Sequence, residues 1–113
     1  MDIGIDVSKL EEGTKVIIET KNSIYELTAG KGDEITILGG LLKNGDYRYA
    51  SPTPAIMIGS TLETDGMVDL KRSWIGKGRK IEIQIDKTIH STTPVWRAQI
   101  ESPDGSWIYS MEW

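Results

Sequence analysis

Apolar residues recur at every second position along most of this 113-residue chain, and no segment sustains them at helical i, i+3, i+4 spacing. Successive side chains of a strand point to opposite faces, so the pattern gives each segment one dry side and one wet side. "RKIEIQID" (79–86) is the clearest case, with Ile81, Ile83 and Ile85 alternating with Glu82, Gln84 and Asp86. "KVIIET" sets Val16 and Ile18 against Lys15, Ile17 and Glu19, "SIYELT" pairs Tyr25 with Leu27, and "EITIL" pairs Ile35 with Ile37. "VWRAQIE" groups Trp96, Ala98 and Ile100, and "SWIYSMEW" groups Trp107, Tyr109, Met111 and Trp113. "PAIMIG" is a short unbroken apolar run, as expected of a strand covered on both faces.

Turn chemistry separates these runs. Lys21-Asn22 joins the first two as a hairpin, and "AGKGDE", "KNGDY", "TDGM", "IGKGRK" and "SPDGS" are rich in residues that tolerate left-handed backbone. The one helical candidate is "DVSKLEEG", where Ser8 and Glu11 form a capping box and Gly13 a stop. The pattern predicts an all-β fold of seven to nine mostly antiparallel strands. It is read as a small, partly open β-barrel or a two-sheet β-sandwich with at most one short N-terminal helical turn. Residues 1–113 are read as one domain, long enough to bury roughly two thirds of its unfolded surface.

Composition excludes some chemistry. With no cysteine, a disulfide, a thiolate nucleophile and a cysteine-ligated metal are all impossible. No apolar run approaches the roughly 18 residues of a membrane helix, and the acidic N-terminus lacks the basic region of a secretory signal. The expectation is a cytoplasmic protein with no membrane association. His90 is the only histidine, in "TIHSTTP", which reads as a strand end entering a loop, without the spacing of a metal site or an orienting carboxylate. It is read as a surface residue. "GSTLETDG" (59–66) reads as a loop with two acids, short of the aspartate ladder of a calcium site.

Net charge is −4, yet residues 71–80 hold five of the 13 Lys and Arg residues and none of the 17 acids. Lys71, Arg72, Lys77, Arg79 and Lys80 around Trp74 are the candidate binding residues, offering cations for a phosphate backbone and an indole for stacking. Alternation puts Arg79 on the Ile81/Ile83 side and Lys80 on the wet side, so the cations need not converge. "GKGRK" lacks P-loop spacing and precedes a strand rather than a helix. "AGKGDEITI" (29–37) repeats the pattern of "IGKGRKIEI" (75–83) beside Asp33 and Glu34, which assigns these glycines to backbone geometry at strand starts.

The chain has four Trp and four Tyr but no Phe. Most large rings in a small barrel fill the core, and the 107–113 stripe is assigned there. Tyr47, Tyr49 and the terminal Trp113 are the candidates for an exposed aromatic surface that binds a partner or a sugar-like ligand. "VIIETKNSIYELT" (16–28) and "IGSTLETDGMVDLKRSWIGKGRKIEI" (58–83) resemble segments of small bacterial and phage-encoded β-domains. The resemblance implies an all-β domain and brings no activity, cofactor or catalytic residue. The functional expectation is a non-catalytic small binding or assembly module, such as a bacterial or phage accessory protein, with a protein partner or self-association and neither cofactor nor metal. The alternative is binding of nucleic acid or an acidic partner through 71–80 with Trp74, read as a basic hairpin. Hydrolase chemistry from paired carboxylates ranks third.

Overall fold

The structure is a computed structural model and describes residues 3–41 and 45–112. Its strands are β1 (Gly4–Asp6), β2 (Lys15–Thr20), β3 (Ile24–Ala29), β4 (Glu34–Leu41), β5 (Tyr47–Thr64), β6 (Met67–Arg72), β7 (Trp74–Gly76), β8 (Lys80–Ile85), β9 (Thr88–Glu101) and β10 (Ile108–Glu112). The only helical element among the described residues is a 3-10 turn at Val7–Lys9. No helix there is long and apolar enough to cross a membrane.

All pairings are antiparallel. β2, β3, β4 and β5 form a meander, β5 continues to β8, β8 to β9, and β9 returns to β2. These contacts close a six-stranded ring, which removes the edges an open sheet would expose. Two strands project from it: β6 extends from β5, and β10 extends from β9. β1 and β7 pair with each other in a separate two-stranded sheet.

The alternation fills the core as expected. Val16, Ile18, Leu27, Ile37, Met57, Ile81, Ile83 and Val95 are almost wholly buried. β1, the 3-10 turn and β7 add Ile5, Val7 and Ile75 to the same cluster. The 3-10 turn is capped by Asp6 rather than Ser8: the Asp6 carboxylate accepts from Ser8 N at 3.1 Å and Ser8 Oγ at 2.6 Å.

Five segments depart from the sequence expectations. The "PAIMIG" run is covered on one face only, because its wall of the barrel faces water and leaves Ile56 exposed. Residues 59–64 are the end of β5, not a loop, and His90 lies within β9, not at a strand end. The segment 71–80 is not a hairpin: β6 and β8 lie on opposite sides of β5, and the chain between them crosses over to pair β7 with β1. The described part of the 107–113 stripe is not core, because β10 has only β9 beside it; Trp107, Ile108 and Tyr109 are each more than half exposed, and Met111 packs inward, while Trp113 lies outside the described residues.

Candidate functional site

A β-bulge creates an aromatic-lined groove on the surface. Glu19 faces Arg97, but Thr20 faces Val95, so Trp96 is an extra residue on β9. The shift turns Val95 and Ala98 inward and pushes Trp96 out to 52% exposure. Trp96 therefore does not share a face with Ala98 and Ile100, as strict alternation predicts. The groove it lines has a volume of about 830 Å³ and is walled by Ile24, Leu38, Tyr47, Tyr49 and Ala50. Tyr47 is 60% exposed at the first residue of β5, whereas Tyr49, two residues on, is buried in the core. Only one of the two tyrosines named from sequence is freely presented, and Trp113 lies outside the described residues.

Two glycines of β4 shape this region. Gly39 and Gly40 have φ of 104° and 79°, a conformation side chains disfavour. A Cβ on Gly39 would sit 2.6 Å from the Ile24 carbonyl oxygen, and one on Gly40 would sit 2.6 Å from Tyr25 Cε1. The glycines let β4 pass close under the β2–β3 hairpin. Glu19, Lys21 and Glu26 also line the groove, and its two carboxylates are paired, Glu19 with Arg97 and Glu26 with Lys15, each at 3.8 Å.

Beside the groove, Tyr25, Tyr49, His90 and Arg48 form a polar cluster. The Tyr49 hydroxyl lies 3.0 Å and Arg48 Nη2 3.2 Å from His90 Nδ1. Guanidinium can only donate, so Nδ1 takes the acceptor role in this contact. Burial raises the Tyr49 pKa above its ordinary value, against the opposing pull of Arg48, which keeps the phenol protonated as donor. On the neighbouring wall Glu82 accepts from Thr61 Oγ1 at 3.0 Å and from Ser91 Oγ. His90 and Ser91 thus serve different partners and form no nucleophile–base pair with each other. Among the described residues no cluster of three or more metal-ligating side chains occurs.

The basic stretch is divided by the fold. Arg79 is 5% exposed and donates to Ser60 Oγ (3.1 Å), Ser60 O (3.0 Å), Asp69 O (3.0 Å) and Asp69 Oδ2 (2.8 Å). It is a clamp joining β8, β5 and β6, not a surface cation. The indole of Trp74 lies against Gly4 and Gly76, where an added Cβ would come within 2.6 and 2.7 Å of it. Lys71 Nζ covers the ring 4.0 Å from its centroid, a cation–π contact that occupies the face a base would stack on. Arg72, Lys77 and Lys80 remain exposed.

Trp96 is the surface residue that pattern reading missed. The available signal is Pro94, since a proline inside a strand marks a bulge or an edge. Comparison with models of known families, with curated proteins and with solved structures finds no match.

Proposed function

We propose that this protein is a non-catalytic binding module that takes an extended, apolar segment of a protein partner in the groove between Tyr47 and Trp96. The observation that carries this reading is the pairing of two half-exposed rings over an apolar floor, with ion pairs on the flanking strands. An apolar centre within a polar rim is the anatomy of a protein interface, and Trp and Tyr are its commonest anchors. The polar groups near the groove support a binding role, because Ser91 and Glu82 bond to each other and His90 Nδ1 lies against Tyr49 and Arg48, so all three are engaged in contacts within the fold.

The test is selection of peptides from a random displayed library on the purified protein. Selected peptides should share apolar or aromatic positions and bind Trp96→Ala or Tyr47→Ala at least about tenfold more weakly, as expected for anchor residues. Binding that is indifferent to both substitutions sinks the reading. The nucleic-acid alternative is checked alongside: it requires retention on single-stranded DNA that falls with salt and is lost in Lys77→Glu with Lys80→Glu.

A further inference from the structure

The β5–β6 hairpin has a form the groove does not explain. β8 accompanies β5 only as far as Thr61, so from Leu62 onward β5 is partnered by β6 alone. Every residue from 62 to 70 is exposed. The arm is well made: Asp65 and Gly66, with φ of 52° and 78°, form the two-residue turn between Thr64 and Met67 that suits the twist of a hairpin. Yet it presents Met67 at 74% and Val68 at 65% exposure, beside Leu62 and Leu70. The outer edge of β6 has no strand partner among the described residues. An apolar two-stranded arm with an open edge is marginal in water and a template for a further strand.

We propose that two copies of this chain pair through that edge, β6 antiparallel to β6, about a two-fold axis at Leu70. Charge selects this occupant and this register. A two-fold axis perpendicular to the sheet keeps like faces together, so it passes through a residue of β6. An axis at Asp69 would set two carboxylates against each other. An axis at Leu70 sets Asp69 of each copy opposite Lys71 of the other, whose ammonium also lies over its own Trp74 ring, packs Leu70 on Leu70, and lays the stem of Arg72 along Val68. Asp69 suits this role because the Arg79 clamp fixes its Oδ2 at 2.8 Å while its side chain stays 71% exposed. β10, at the opposite end of the larger sheet, shows Ile108 and Tyr109 but has no charge between 108 and 111 to set a register.

The absence of cysteine makes the test direct. Leu70→Cys, at an exposed site on the axis, should form a disulfide-linked dimer under mild oxidation, since directly opposed residues in antiparallel strands lie within disulfide range. Ser110→Cys, on the β10 edge, should remain largely monomeric. Sedimentation of the wild type should give twice the monomer mass, and Val68→Asp with Leu70→Asp should return it to monomer with its peptide binding in the Trp96 groove intact. A wild type that sediments as monomer at every concentration, or cross-linking through Ser110→Cys in place of Leu70→Cys, overturns the proposal. Neither result touches the groove, whose test reads peptide affinity.

Discussion

Arg79 shows how far a single residue can be read. Alternation alone sets it on the side of Ile81 and Ile83, and that side is the core; its partners are not legible, because Ser60 and Asp69 lie on other strands. Grouping it with four neighbouring cations follows from sequence proximity, which a strand's two faces divide. Arg79→Met keeps the volume but leaves the Ser60 and Asp69 carbonyls without this donor. It should lower stability by about 2 kcal/mol, the scale of lost hydrogen bonds to a charged group. Arg79→Lys should recover only part of this, since an ammonium cannot reproduce the planar fork. Urea midpoints at unchanged slope check both.

At the scale of the element, strand existence was readable and strand phase was not. Buried positions in β2, β3 and β8 follow period two, whereas β4 keeps it only to Ile37 and shifts register before Gly39. β9 carries a bulge, and one extra residue inverts every side chain beyond it, which is why Trp96 appears on the wrong face of the pattern. β10 alternates correctly but lacks a second layer to bury it, and layering is not written in a strand's own residues. The turn before it, "SPDGS", holds a testable group. Hydrogen bonds from the Ser106 hydroxyl and backbone N–H, and from the Ser102 hydroxyl, lower the Asp104 pKa from 3.8 to about 2. The unfolded chain therefore takes up this proton first, and the contribution present above pH 3.8 is lost as pH falls towards about 2. The difference in thermal midpoint between wild type and Asp104→Asn should shrink across that window; a constant difference would contradict the hydrogen-bonded turn.

For the whole molecule, an all-β fold, as a partly open barrel or a two-sheet sandwich, follows from the patterning, but the closing contacts of β8 with β9 and β9 with β2 do not. Ring closure depends on strands far apart in sequence, and local periodicity carries no information on who neighbours whom. Closure predicts a steep contrast in amide exchange. Amides of β2, β3, β8 and β9 should open only with global unfolding, while residues 62–70 should exchange near the unprotected rate in dilute protein and slow as concentration rises. Uniform exchange across ring and arm would argue against the six-stranded closure.

β5 begins at Tyr47, in the wall of the aromatic groove, and ends at Thr64, at the tip of the arm. Drawn straight, its 18 residues would measure about 55 Å, longer than the 42 Å extent of the molecule, so the strand bends as it travels. One bent strand of backbone thus reaches from the groove to the arm. A load taken at the arm is borne by the same spine that holds Tyr47, and the spacing between the two footprints is set by the length of a single strand.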